Sequence, residues 1–173
     1  MKRIITLVVQ NRSGVLNRVT GLMQKRQFNI ESISVGRTEQ EGISKMTFVV
    51  DVEDHRKLEQ LTKQLNKQID VIKVTDLSDK AVVARELALI KVVSNAQVRG
   101  EIQSIIEPFR AIVIDMSRDS LSIQVTGKPE KIEALIELLR PYGIKDIART
   151  GLTAFARGQQ PQVAELTHYS LLK

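Results

Sequence analysis

The hydrophobic period of this chain changes in the order strand, helix, strand, strand, helix, strand, and then runs through the same order again. No other feature narrows the possible folds so far. A β-α-β-β-α-β run closes into four antiparallel strands with both helices on one face, the split βαβ or ferredoxin-like unit. In the first pass Ile4 to Val9 is a short β-branched run, broken by Asn11-Arg12-Ser13-Gly14. Val15, Leu16, Val19, Leu22 and Met23 then follow helical spacing up to Gln27-Phe28-Asn29. Ile30 to Val35 reads as extended, with Ile33 and Val35 on one face and Ser32 and Ser34 on the other. A polar hairpin, Thr38 to Gly42, leads to a strand carrying Met46, Phe48, Val50 and Val52. Asp54 suits the N-cap of a helix built on Leu58, Leu61 and Leu65, and Val71, Ile72 and Val74 form a closing strand that ends at Asp76.

The second pass is as complete. Leu87 to Val93 is a strand, and Val98, Ile102, Ile105 and Ile106 make a helical stripe stopped by Pro108. Ile112 to Met116 and Leu121 to Val125 are strands. Ile132, Leu135, Ile136 and Leu139 mark a helix closed by Pro141-Tyr142-Gly143, before a final strand from Ile144 to Ala148. The predicted class is therefore α+β: two tandem ferredoxin-like βαββαβ domains, 1–77 and 86–158. The polar stretch 78–85 reads as a linker and 159–173 as a loosely attached tail. Each sheet has one face without helices, where apolar residues invite a partner.

Composition removes whole classes of chemistry. Cysteine is absent and only two histidines occur, His55 and His168, so disulfides, thiolate zinc sites and a cysteine nucleophile are excluded. Phosphate-binding Gly-rich motifs and a Gly-x-Ser-x-Gly elbow are missing. Residues 1–77 carry 13 Lys+Arg against 9 Asp+Glu, and the remainder 13 against 11, so the net charge of +6 is spread over both halves. A mildly basic surface of mixed sign and few aromatics argues against nucleic acid. No apolar run approaches the ~20 residues of a membrane span. The first residues, Met1 to Gln10, read as a strand and not as a leader. The expectation is a non-catalytic, cytoplasmic protein.

One segment looks functional. Asn11-Arg12-Ser13-Gly14-Val15-Leu16 runs from a strand into a helix N-terminus, where free amides and the helix dipole favour an anion. Taken locally, the same residues also read as an ordinary cap and turn. The second repeat has Val98 at the position matching Gly14, so the feature belongs to the first repeat alone.

Read as a whole, the chain resembles a known family. The Asn11 to Val19 turn, Phe28-Asn29-Ile30-Glu31-Ser32 and Lys45-Met46-Thr47 look like an ACT domain. Together with Arg85-Glu86-Leu87-Ala88, Phe109-Arg110-Ala111, Gly127-Lys128-Pro129-Glu130 and Ala148-Arg149-Thr150-Gly151, they resemble the regulatory small subunits of acetohydroxyacid (acetolactate) synthase, up to Gly158. The resemblance implies no catalysis in this chain. It implies binding to a large catalytic subunit that holds thiamine diphosphate, magnesium and FAD, together with activation of that subunit and feedback inhibition by a branched-chain amino acid, valine first. It further implies a homodimer of ACT domains with a shared effector site: Asn11, Gly14, Val15 and Leu16 from one chain, Asn29 and Ile30 from the other. A stand-alone ACT-type amino-acid-binding regulator is the alternative. A DNA-reading version lacks a helix-turn-helix outside the repeats.

Overall fold

The structure is a computed structural model that describes residues 1–52 and 54–158. Its first half is β1 (Lys2–Gln10), α1 (Val15–Lys25), β2 (Asn29–Arg37), β3 (Ile43–Asp51), α2 (His55–Leu65) and β4 (Val71–Asp76). The second is β5 (Val82–Val93), α3 (Arg99–Ile106), β6 (Ile112–Met116), β7 (Ser120–Gly127), α4 (Pro129–Leu139), β8 (Ile144–Arg149) and β9 (Thr153–Ala156). The strand orders β2-β3-β1-β4 and β6-β7-β5-β8 are the same antiparallel arrangement twice. Both halves are ferredoxin-like units, as the doubled period implies.

Each half has its own core. In the first, Ile5, Leu7 and Val9 of β1 and Met46, Phe48 and Val50 of β3 meet Val15, Val19 and Met23 of α1 and Leu58, Leu61 and Leu65 of α2. These are the residues of the predicted stripes, and their spacing of two on strands and of three or four on helices puts them on one side. The second core repeats this with Ile90, Val92, Ile123 and Val125 under Ile102, Ile106, Ile132 and Leu135. Asp54 caps α2 as expected, its carboxylate accepting from the Arg56 amide at 3.0 Å.

Two expectations need correction. The stretch 78–85 is not a free linker. Its last four residues, Val82 to Arg85, begin β5 and pair with Ala156 to Thr153 of β9, a strand the sequence reading did not foresee. Its first residues are fastened to β1: the Ile4 amide donates to Ser78 Oγ at 2.9 Å and Arg3 pairs with Asp79 at 2.6 Å. The second correction concerns the open face of the first sheet, on which Thr6, Thr47 and Val49 are buried. Leu152 and Ala154, in and beside β9, are buried as well, and Ser32 and Ser34 on this face bond to Leu152 and Thr153. The second half thus supplies the cover itself. The second sheet keeps an open face, with Leu89, Val93 and Ile112 exposed. The tail at 159–173 lies outside the described residues.

The fastening bears on where the chain can be cut. A fragment ending at Leu77 loses Asp79, the carboxylate that answers the buried Arg3 guanidinium. Since Asp79 is itself exposed, the cost is that of a half-screened pair, about 1–2 kcal/mol. We expect residues 1–80 to unfold cooperatively in urea and residues 1–77 to unfold at a lower midpoint. Equal midpoints would show that Asp79 does not hold Arg3.

Candidate ligand site at the first helix

The turn between β1 and α1 is tied down from two sides. The Gln10 amide donates to the Asp70 carbonyl at 2.8 Å, and the Asn11 amide to the Gly42 carbonyl at 2.7 Å. The loop before β4 and the β2–β3 hairpin therefore fix where the chain enters α1. Gly14 is the N-cap, with φ of 81° and ψ of −4°, a left-handed conformation suited to glycine. A Cβ there would stand 3.2 Å from Arg18 Nη1.

The cap leaves donors free. Neither Asn11 nor Ser13 caps α1 through its side chain, and the first turn has no acidic residue. The Val15 amide turns back to the Arg12 carbonyl at 3.3 Å, while those of Leu16 and Asn17 find no acceptor among the described residues. The ordinary capped-turn reading is thus set aside. The second repeat makes the contrast: Asn95 there accepts from the Gln97 and Val98 amides at 2.9 and 3.1 Å, and Glu101 occupies the first turn of α3. Those two amides precede α3; what sets the two turns apart is Glu101, an acid where α1 has none, and the left-handed Gly14, which α3 lacks.

Charge at the first turn comes from residues that the sequence reading passed over. Asp70, only 4% exposed, pairs with Arg18 and stands 3.9 Å from Arg12. One carboxylate faces two guanidinium groups, so the balance beside the free amides is positive, which suits an anion. Topology was the missing signal. In the order β2-β3-β1-β4 the end of β1 adjoins the start of β4, so a residue just before β4 must lie beside Gln10.

The six residues drawn from the sequence do not all meet. Asn11, Gly14 and Leu16 share the mouth of the turn, with Leu16 42% exposed. Val15 differs from expectation: it is 3% exposed, its side chain lies in the core, and only its backbone borders the turn. Asn29 and Ile30 are at the other end of the sheet. Gln10 pairs with Ile43 and Asn29 with Asp51, eight positions apart along β3, or about 27 Å at ~3.4 Å per residue. Asn29 is exposed and Ile30 half-buried against the core. Within one chain these two sets cannot touch one small ligand. Among the described residues there is also no cluster of His, Cys, Asp and Glu able to hold a metal ion, and no helix long and apolar enough to cross a membrane.

Comparison with known proteins gives a consistent assignment for both halves. Residues 5–73 match the family described as the AHAS small subunit-like ACT domain, and residues 85–158 the family described as the small subunit of acetolactate synthase. The acetolactate synthase small subunit of Bacillus subtilis is 68% identical over 164 residues, 95% of either chain. That of Mycolicibacterium smegmatis is 51% identical over 154 residues, 89% of this chain and 90% of its own. Among solved structures, the acetolactate synthase small subunit of Thermotoga maritima superposes with a TM-score of 0.85 at 38% identity, covering 92% of this chain and 99% of the other.

Proposed function

This chain belongs to the acetolactate synthase small-subunit family, and from that premise we propose that it activates the catalytic large subunit and makes it answer to a branched-chain amino acid. The observation that carries the reading is the first turn of α1. Its free amides, the left-handed Gly14 and the Arg12–Arg18–Asp70 cluster form a carboxylate-binding corner in the ACT half alone. Asn11 beside it has amide donors and an acceptor for a zwitterion, and exposed Leu16 offers an apolar contact for an aliphatic side chain. A branched aliphatic amino acid, valine first, fits that combination.

Two copies complete the site in this reading. β2 is an edge strand, so its outer side is open to a second chain. Antiparallel pairing of two β2 strands about Ile33 would set Asn29 of one chain across from Arg37 of the other. Arg37 pairs with Ser44, next to Ile43, which pairs with Gln10; that is the end of the sheet where Asn11 and Gly14 lie. The 27 Å offset along the strands within one chain is thus removed between two, which brings the two sets to the same end of a joined sheet, at ~3.4 Å per residue. Val15 contributes backbone, and Leu16 and Ile30 the apolar wall. Because the site is built from both chains, occupancy and dimer geometry are linked.

In this reading thiamine diphosphate, magnesium and FAD reside on the large subunit, the pair works in the cytoplasm, and neither nucleic acid nor membrane is a partner. The test is acetolactate formation by the purified large subunit, with and without this chain, across valine, leucine, isoleucine and unrelated amino acids. The expected result is a rise in rate on adding the chain and selective inhibition by a branched-chain member. Sedimentation of the full chain should show a dimer at micromolar concentration. No change in rate would refute the regulatory role, and a monomer in the presence of valine would refute the shared site.

A further inference from the structure

β2 is in contact on two sides. Its first residues, Asn29 and Ile30, belong to the effector site proposed above. Its following residues, Ser32 to Ser34, meet the second half of the chain. Ser34 Oγ and Thr153 Oγ1 are 2.8 Å apart, and the Leu152 amide donates to Ser32 Oγ at 3.4 Å. Gly151, with φ of 75°, lies so close that a Cβ on it would stand 3.1 Å from the Ile33 carbonyl oxygen and 3.2 Å from Ser32 Cβ. Neighbouring Leu152 is buried in the same junction.

We propose that this junction, Gly151 to Thr153 on Ser32 to Ser34, is the contact through which the second half senses effector occupancy; the inference rests on the effector reading above. The argument is one of position and stiffness. Gly151 follows β8 by two residues and Thr153 opens β9, and both strands pair with β5, so the segment is built into the second sheet. On the other side, the β2–β3 register shifts between Ile30 and Ser32, which leaves Glu31 out of step. A bulge of that kind is a place where a strand changes its bend. It separates the residues offered to the effector from those gripped by the second half. Ordering of Asn29 and Ile30 by a ligand therefore acts on Ser32 and Ser34 through one intervening residue. A close approach of Gly151 to the Ser32–Ile33 segment, held by the hydroxyls of Ser32 and Ser34, passes on such a shift where a flexible linker would absorb it.

A cleft of about 670 Å³ adjoins the junction, lined by Ser32, Ile33, Gly151 and Leu152 together with Lys2 and Glu133. The second half covers the first sheet at Thr6, Thr47 and Val49, and at Ser32 to Ser34 the two halves meet beside this open cleft. Substitutions at that edge leave the rest of the cover in place, which makes the inference testable.

The experiment uses the full chain with its large subunit. Ser34→Ala combined with Thr153→Val removes the hydroxyl pair without adding bulk, and Gly151→Ala pushes its segment off Ile33. Valine, leucine and isoleucine binding is measured by calorimetry on the small subunit alone, and activation and inhibition are measured in the acetolactate assay. The expected result for both variants is binding within threefold of wild type, activation retained, and inhibition at saturating amino acid reduced to less than half that of wild type. If Gly151→Ala does not fold, the hydroxyl-pair variant alone decides. Wild-type inhibition in a folded variant overturns the inference and leaves the effector reading intact. A wild-type chain that binds none of the three amino acids overturns the effector reading, and this inference with it.

Discussion

Gly14→Asp is expected to give a small subunit that still activates its partner and no longer transmits inhibition. Three effects act together at this position. A left-handed φ of 81° costs an L-residue ~1–2 kcal/mol, which falls on the loop that shapes the site. The new Cβ would stand 3.2 Å from Arg18 Nη1, so the guanidinium must move. The added carboxylate then lies where the ligand carboxylate is expected, beside Arg18 and the free amides of Leu16 and Asn17. It fills the corner as an internal mimic as well as repelling the ligand. A rise of roughly a hundredfold in the dissociation constant for valine follows, equivalent to about 2.8 kcal/mol. Gly14→Ala, which has the strain without the charge, should lose about tenfold, the size of its backbone cost. Val98→Ala, at the matching turn of the second repeat, should bind as wild type, since Glu101 already puts an acid in the first turn of α3. Calorimetry on the three variants separates strain from charge. Wild-type affinity in Gly14→Asp would place the pocket elsewhere.

Much of this architecture was legible in the sequence because it rests on period. Ile5, Leu7 and Val9 alternate on a strand, and Leu58, Leu61 and Leu65 recur on a helix. Each pattern admits one buried side. The turn at Gly14 was legible because glycine there marks a backbone need. What escaped detection depended on contacts distant in sequence. Asp70 has no local signal; its role arises because β4 lies next to β1. Thr153 to Ala156 is too short and too mixed in character to announce a strand, and it exists because β5 extends back to Val82 to receive it. The polar character of 78–85 suggested a linker, yet Ser78 and Asp79 use that polarity to bind Ile4 and Arg3. Val15 was brought to the site by the resemblance; the helical stripe alone put its side chain in the core, where it lies, and only its backbone borders the turn.

Mixing two disabled chains should restore effector binding if the site is shared. Asn29→Ala removes an amide group expected to hydrogen-bond a charged ligand, ~1.5–3 kcal/mol, or roughly a ten- to hundredfold loss of affinity. Alone, a Gly14→Asp dimer and an Asn29→Ala dimer each have two damaged sites. In a hybrid dimer one site receives both lesions, and the other receives an intact Gly14 turn from one chain and an intact Asn29 from the other. Random exchange between equal amounts makes half of the dimers hybrids, so about a quarter of all sites recover full affinity. The prediction follows from the register: with Asn29 opposite Asp51 and Gln10 opposite Ile43, the two lesions lie at opposite ends of one sheet. A site contained in one chain gives no recovery at any mixing ratio. The measurement is valine titration of the two variants before and after unfolding and refolding them together. A high-affinity fraction near one quarter, absent from either variant refolded alone, requires that each pocket be made by two chains; a mixture that matches the average of its components would refute it.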